Sequence, residues 1–114
     1  MDKIISLKNN TEFRRLYKRG KSAVAPTLVM YALKNRLGYS RLGLTAGKKV
    51  GCAVRRNRAK RRLRALYQVH VLTLPENRRG FDLVIVARAA AVNAPHKKLE
   101  RDFVSCTRKI LESL

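Results

Sequence analysis

One apolar run constrains the fold more than any other part of the sequence. FDLVIVA, from Phe81 to Ala87, is almost continuously apolar and has the length of a β-strand. Because neighbouring side chains of a strand point to opposite faces, such a run is typical of a strand that is buried on both faces. We predict that it forms the core strand of a sheet.

Three helices are predicted around this strand. The first is capped by Asn9, with Glu12 at the capping-box position, and it ends at Gly20, where we expect a left-handed conformation. The second runs from about Val54 to His70. A third follows Pro95, because apolar residues recur there at spacings of three and four: Leu99, Phe103, Cys106, Ile110 and Leu114.

Two further strands precede the second helix. They are expected from Thr27 to Leu33 and from Leu42 to Ala46, and we expect them to form a hairpin. The order helix, strand, strand, helix, strand, helix fits a small sheet packed with helices, of the α+β class. The 114 residues are enough for one domain, 1–114, and too few for two domains with separate cores.

Charge is the unusual property of the composition. The chain has 27 Lys and Arg against 7 Asp and Glu, a formal net charge of +20, and such self-repulsion opposes folding unless an anionic partner screens it. Seven of the ten residues from Arg55 to Arg64 are basic, and no Asp or Glu occurs between Glu12 and Glu76. A merely solvated helix face would gain from acidic residues three or four positions away. The pattern favours nucleic acid as the partner, with an anionic membrane surface as the competing interpretation.

The second helix separates its apolar and basic side chains. At about 100° per residue, Ala59, Leu63, Leu66, Tyr67 and His70 form a narrow stripe that the core needs, which argues against a membrane-binding helix. Basic side chains cover most of the remaining circumference: Arg55, Arg58, Lys60, Arg61, Arg62 and Arg64, with Arg56 at the edge of the stripe. The planar guanidinium suits phosphate, and so wide a charged arc suits a folded RNA better than a duplex groove. Because the flanking elements are strands, a helix-turn-helix unit is not indicated and we expect no DNA binding.

Three aromatic residues are candidates for stacking on unpaired bases. Phe13 and Tyr17 lie one turn apart on the first helix, and Tyr31 lies in the middle of a strand. Together these rings could line a groove for single-stranded nucleic acid. The alternative is that they belong to the core, although a buried tyrosine hydroxyl then needs a hydrogen-bond partner.

Neither a catalytic centre nor a metal site is predicted. His70 and His96 have no Ser, Cys or carboxylate at a motif spacing, the acids are scattered, and Cys52 and Cys106 form no CxxC pair. We expect any catalysis to come from something that the chain binds. The sequence lacks both a run of about 20 apolar residues and a secretory signal, so we expect a cytoplasmic protein that binds no membrane.

The segment RLGLTAGKKVGCAVRRNRAKRRLR, Arg41 to Arg64, resembles the signature of the bacterial ribonuclease P protein component. The shared features are a strand ending in Gly-Leu-Thr, a Lys-Lys pair, a loop with Ala-Val, and Arg-Asn-Arg-x-Lys-Arg-x-x-Arg. The resemblance extends to Glu12 and Phe13 with Tyr17, to VMYAL, and to FDLVIVAR ending at Arg88. It covers nearly the whole chain in the same order.

The resemblance implies a fold and a function. The fold is a small α/β sandwich with one sheet of about four strands, three helices, and a left-handed βαβ crossover around the basic helix. The function is that of the small subunit of ribonuclease P, whose large RNA cleaves precursor tRNA to leave the mature 5′ end, with Mg²⁺ held mainly by the RNA. The protein alone would be monomeric and not catalytic. A structural RNA-binding protein of the ribosomal type is the alternative.

The resemblance also implies roles for particular residues. Those facing the ribonuclease P RNA or the nearby substrate would be Lys48, Lys49, Arg56, Asn57, Arg58, Lys60, Arg61 and Arg64, to which the charged arc adds Arg55 and Arg62. The cleft for the single-stranded 5′ leader of precursor tRNA would be lined by Phe13, Tyr17, Val29 and Tyr31.

Overall fold

The computed structural model describes residues 4–75 and 78–114. In these residues three helices and four strands follow one another as α1 (Asn10–Arg19), β1 (Lys21–Val24), β2 (Leu28–Lys34), β3 (Arg41–Ala46), α2 (Ala53–His70), β4 (Phe81–Ala87) and α3 (His96–Ser113). Short 3-10 turns occur at Lys48–Val50 and Ala89–Ala91. The predicted α+β class and the three helices are confirmed, whereas β1 was missed from the residue pattern because it is short and mostly exposed.

Strand β4 lies in the interior of the sheet, whose order is β1-β2-β4-β3. Six of its seven residues are buried, as its apolar run predicted. It pairs antiparallel with β2 and parallel with β3, so that Ile85 lies between Met30 and Leu44. The predicted hairpin of β2 and β3 is therefore wrong. A strand that is apolar on both faces buries most surface when it has a neighbour on each edge, and β4 takes the position between them.

The parallel pair of β3 and β4 is joined through α2, as the resemblance implied. The left-handed sense of this crossover stays a prediction. The connection matters for function because it places the basic helix directly against the sheet, where its apolar stripe can be buried.

The alternation of side chains gives the sheet two covered faces. On one face, residues such as Met30 and Ile85 join α2 and α3 in the main core, which includes Leu63 and Phe103. On the other face α1 contributes Leu16 to a smaller cluster with Leu7 and Val84, against which Phe13, Tyr31, Leu33 and Val86 pack. Helix α1 is thus alone on the face opposite the basic helix.

Arg41 fixes the start of α1 to the sheet. Its Nη2 and Nε donate to the two carboxylate oxygens of buried Asp82 at 2.7 and 2.8 Å, and its Nη1 donates to Glu12. The hydrogen bonds to Asp82 are the main reason why the pKa of Arg41 lies above its usual value. Glu12 also accepts from the backbone of Asn9 in the predicted capping box, which is confirmed. One guanidinium therefore joins α1, β3 and β4.

Gly20 ends α1 as predicted, but not in a left-handed conformation, since its φ is −71°. Its role is instead to let the backbone of α1 approach the backbone of β2 closely. A Cβ atom at this position would lie 2.5 Å from the carbonyl oxygen of Leu16 and 2.9 Å from that of Ala32. The absent side chain lets the chain leave α1 directly against β2.

None of the helices in the described ranges is both long enough and apolar enough to cross a membrane.

The core contains one polar atom whose removal should stabilise the fold. The hydroxyl of Tyr67 is buried without a hydrogen-bond partner among the described residues, and burial raises the pKa of Tyr67 to about 12. Because an unsatisfied buried hydroxyl is unfavourable, we expect Tyr67→Phe to raise the free energy of unfolding at neutral pH by about 1 kcal/mol. Urea denaturation of both proteins measures this difference.

The same pair of proteins should differ in alkaline solution. The raised pKa keeps Tyr67 neutral in the folded state, whereas tyrosine in the unfolded chain ionises near pH 10. The free energy of unfolding therefore does not change through this group below pH 10, and it falls as the pH rises toward 12. The wild type should therefore lose more stability than Tyr67→Phe between about pH 8 and pH 11. An identical pH dependence in the two proteins would contradict the burial of this hydroxyl.

Candidate nucleic-acid interface

Helix α2 is held to the core along one side only. Ala59, Leu63, Leu66 and Tyr67 are buried, which confirms most of the predicted stripe. His70 is partly buried, and its Nε2 lies 2.9 Å from a carboxylate oxygen of Glu100. The remaining circumference carries seven basic residues, which we call the basic arc: Arg55, Arg56, Arg58, Lys60, Arg61, Arg62 and Arg64.

The basic arc has no acidic partner among the described residues. The ion pairs of residues 4–75 and 78–114 are Arg41 with Glu12 and Asp82, Arg15 with Asp82, Lys98 with Asp102, and His70 with Glu100. Within the same ranges Lys60, Arg61 and Arg64 also lack hydrogen bonds from their side chains. Their charge is therefore available to an external anion.

Three other arginines of the arc are oriented by the backbone. Arg55 and Arg56 each donate Nε to a carbonyl five residues earlier, at 3.2 and 2.8 Å, and Arg58 donates Nε to the carbonyl of Val92 at 2.9 Å. Each of these contacts uses Nε, so the terminal nitrogens of the guanidinium can still bind phosphate in a fork. Side chains that are oriented before binding lose less entropy when a ligand arrives.

Arg62 differs from the rest of the arc. Its Nη1 donates to the carbonyls of Ala91 and Val92 at 2.8 and 3.0 Å, and its Nη2 donates to that of Ala94. Partial burial, followed by the nearby charge of Arg58, lowers the pKa of Arg62. This side chain ties α2 to the loop before α3. That it also contacts RNA stays a prediction.

The other predicted RNA-facing residues extend the charged surface beyond the helix. Lys48 and Lys49 are exposed in the 3-10 turn between β3 and α2, and Asn57 is exposed on the first turns of α2. The structure thus places all of the predicted RNA-facing residues on α2 or directly before it.

A groove of about 380 Å³ lies between α1 and β3, and we call it the aromatic groove. Its lining consists of Asn10, Phe13, Arg14, Tyr17, Leu44 and Thr45. The rings of Tyr17 and Tyr31 meet edge to face with centroids 5.0 Å apart, and Tyr17 is 44% exposed. Val29 is partly buried on the same face of β2. The four residues predicted for a cleft therefore lie on this one side of the molecule, with Phe13 and Tyr17 lining the groove.

Gly43 makes room for Phe13, a contact that the residue pattern did not reveal. A Cβ atom on Gly43 would lie 2.6 Å from the ring of Phe13. A smaller pocket of about 180 Å³ beside the same ring is lined by Gly43, Lys60 and Arg64, among others. This pocket shares Phe13 and Leu44 with the aromatic groove, which therefore lies next to two unpaired cations of the basic arc.

Within 4–75 and 78–114, no three His, Cys, Asp or Glu side chains lie close enough together to hold a metal ion. The buried acids already have partners, since Asp82 binds Arg41, and Asp102 accepts from the hydroxyl of Thr27 at 2.7 Å. Both buried carboxylates are therefore engaged in contacts within the fold.

Comparisons with known proteins agree with this geometry. The family model described as Ribonuclease P matches residues 1–111. The chain belongs to the ribonuclease P protein family. It is 39% identical over 109 residues to the ribonuclease P protein component of Natranaerobius thermophilus, covering 96% of this chain and 92% of that protein. The ribonuclease P protein component of Clostridium botulinum strain Langeland is 40% identical over 104 residues, covering 90% of this chain and 91% of that protein.

Solved structures show the same fold. The ribonuclease P protein of Staphylococcus aureus superposes with a TM-score of 0.80 at 28% identity, covering 96% of this chain and 99% of that chain. The ribonuclease P protein of Thermotoga maritima superposes with a TM-score of 0.74 at 28% identity, covering 88% of this chain and 92% of that chain. Membership makes this chain a ribonuclease P protein subunit in tRNA processing, with an RNA subunit as its partner, and disfavours the ribosomal alternative.

Two neighbouring arginines of this ribonuclease P protein should differ in their effect on stability. Arg62→Ala removes a guanidinium that donates to three carbonyls, and we expect it to lower the free energy of unfolding by about 2 kcal/mol. Arg61→Ala removes the same charge from an exposed side chain and should leave stability nearly unchanged. Urea denaturation compares the two variants, and equal losses would contradict the structural role of Arg62.

Proposed function

We propose that this subunit binds the ribonuclease P RNA and the 5′ leader of precursor tRNA, while the RNA itself carries out the cleavage. One observation supports this most strongly. Unpaired cations of the basic arc, Lys60 and Arg64, line a pocket that shares the ring of Phe13 with the neighbouring aromatic groove. A rigid cationic surface next to exposed rings suits a folded RNA on one side and an unpaired strand on the other.

The basic arc would bind the ribonuclease P RNA. Folded RNA presents phosphates on several sides of a groove, and α2 presents guanidinium groups around more than half of its circumference. Lys48, Lys49 and Asn57 would extend the contact at the start of the helix. Because phosphate binding releases counterions, this contact should weaken steeply as salt increases.

The aromatic groove would receive the 5′ leader. The leader is single-stranded, so its bases are free to stack on Phe13 and on the exposed ring of Tyr17, which Tyr31 supports from the sheet. Val29 lies farther along the same face of β2 and would complete the apolar floor. Stacking tolerates any base, which is the property required for leaders of different sequence.

The chemistry would belong to the RNA. The described residues provide no ligand set for a metal, and therefore we propose that Mg²⁺ is held mainly by the RNA, where it would supply Lewis-acid chemistry for phosphodiester cleavage. The protein would lie between two polyanions, the catalytic RNA and the substrate, and its net charge of +20 would reduce their repulsion. The magnesium concentration needed for activity should fall accordingly. We further propose that the free protein is a monomer that works in the cytoplasm, without binding DNA or membranes.

Reconstitution tests whether the RNA carries out the cleavage while the protein contributes binding. We expect the protein with a ribonuclease P RNA to process precursor tRNA at a magnesium concentration at which that RNA alone is slow. The protein alone should cleave nothing at any magnesium concentration. Cleavage that survives complete removal of the RNA would refute the proposal.

The leader contact can be tested with Tyr17, whose ring is largely outside the core. Tyr17→Ala should weaken binding of a substrate with a leader by about tenfold, because a base–ring stack is lost. Binding of mature tRNA, which has no leader, should not change. Tyr17→Phe keeps the ring and should behave as the wild type. Equal loss of affinity for substrate and mature tRNA would contradict the assignment of the aromatic groove.

A further inference from the structure

A second groove lies on the other side of α1, and we call it the distal groove. Its volume is about 470 Å³, and it is lined by Arg15, Arg19, Leu33, Lys34, Asn35, Arg36, Leu37 and Arg41. On a helix with about 100° per residue, Arg15 and Arg19 project away from Asn10, Arg14 and Tyr17. Neither the basic arc nor the aromatic groove shares a lining residue with it.

The distal groove contains positive charge that the fold does not use. Arg41 is fully engaged by Glu12 and Asp82, and Arg15 lies 3.8 Å from a carboxylate oxygen of Asp82. The other three cations of the lining have no ion pair or hydrogen bond among the described residues: Arg19, Lys34 and Arg36. All three are exposed at the groove. Like charges held around one concavity repel each other unless an anion lies between them.

Helix electrostatics explain only part of this cluster. Arg19 is in the last turn of α1, where the helix dipole favours a cation. Lys34 ends a strand and Arg36 lies in the turn after it, so a helix dipole stabilises neither charge. The same turn also exposes apolar surface, because Leu37 is 45% and Tyr39 41% exposed. Cations beside exposed apolar and aromatic side chains are typical of surfaces that bind single-stranded RNA.

The turn is also held in place. The side chain of Asn35 donates to Asp82 at 2.8 Å and to the carbonyl of Tyr39 at 3.1 Å, and it accepts from the backbone of Leu37 at 3.0 Å. The backbone of Asn35 donates to the carbonyl of Gly80 at 2.9 Å. The cations of the distal groove are therefore carried by an ordered scaffold, which lowers the entropy cost of binding.

The distal groove lies too far from the start of the basic arc for one phosphate to bind at both places. Lys34 pairs with Phe81 at one end of β4, whereas Ala46, directly before the turn that carries Lys48, pairs with Ala87 at the other end. Seven strand residues separate these ends by roughly 20 Å. One phosphate cannot reach both places.

We propose that the distal groove binds the phosphate backbone of a second single-stranded RNA segment, through Arg19, Lys34 and Arg36. This proposal rests on the function proposed above. The recognised chemistry is the same for two sources, a long 5′ leader that continues past α1 or an unpaired strand of the ribonuclease P RNA. The phosphates would neutralise charge that the fold leaves unpaired.

The test uses the reconstituted holoenzyme with the double variant Arg19→Ala/Arg36→Ala. The matched control is Arg101→Ala/Arg108→Ala, which removes the same charge from exposed positions on α3 outside both grooves. Arg19→Lys/Arg36→Lys keeps the charge and should retain most of the affinity. Thermal unfolding checks that all variants are folded. Two affinities are measured, that of the protein for the RNA without substrate, and that of the holoenzyme for precursor tRNAs with short and long leaders.

The two sources give different results. If the leader occupies the groove, the alanine variant should bind long-leader substrates about tenfold more weakly and short-leader substrates normally. If the RNA subunit occupies it, protein–RNA affinity should fall by a similar factor whatever the leader. In either case the slope of log affinity against log salt should become shallower by about 1.4, the value for two contacts to a single strand.

Failure of this proposal is distinguishable from failure of the proposed function. If the wild-type holoenzyme processes precursor tRNA and the alanine variant matches the Arg101→Ala/Arg108→Ala control in both affinities, the distal groove does not bind RNA. If the wild-type holoenzyme does not process precursor tRNA at all, the proposed function is refuted and this proposal with it.

Discussion

Burial of β4 on both faces determines where every functional surface can lie. A strand of this kind requires cover on each side, and the chain supplies α2 and α3 on one side and α1 on the other. Because α2 uses its narrow apolar stripe for this purpose, its basic side chains must point outward. Because α1 is alone on its face, the sheet remains accessible on both sides of it. The basic arc and the two grooves beside α1 thus follow from the same packing requirement.

The distribution of the few acids completes this arrangement. Five acids lie in the described residues, and four of them are used to join elements of the fold: Glu12 and Asp82 with Arg41, Glu100 with His70, and Asp102 with Thr27 and Lys98. None of these pairs involves the basic arc. The described chain therefore uses most of its acids for internal contacts and leaves the basic side chains of α2 without an acidic partner. The family to which it belongs has an RNA subunit as its partner.

Local patterns predicted the elements well, and contacts between distant residues account for what they missed. The stripe containing Leu63 specified α2, because its period determines which side is buried, and the continuous apolar run ending at Ala87 specified β4. Strand pairing is not local, and so the hairpin of β2 and β3 was wrong once β4 took the position between them. The same reason applies to Arg62, whose carbonyl acceptors lie about thirty residues away, and to Gly43, whose fit against Phe13 no local pattern encodes. The rings of the aromatic groove were predicted from the one-turn spacing of Phe13 and Tyr17 and from the family resemblance.

If α2 presents its unpaired cations to RNA phosphates on a rigid surface, binding must weaken steeply as the salt concentration rises. The affinity of the protein for ribonuclease P RNA would be measured over a range of salt concentrations, together with Arg61→Ala/Arg64→Ala. For about eight neutralised phosphates, log affinity should fall with log salt at a slope of about −6 to −7, and the variant should lower its magnitude by about 1.5 without loss of stability. A slope near zero, or a variant indistinguishable from the wild type, would contradict the account.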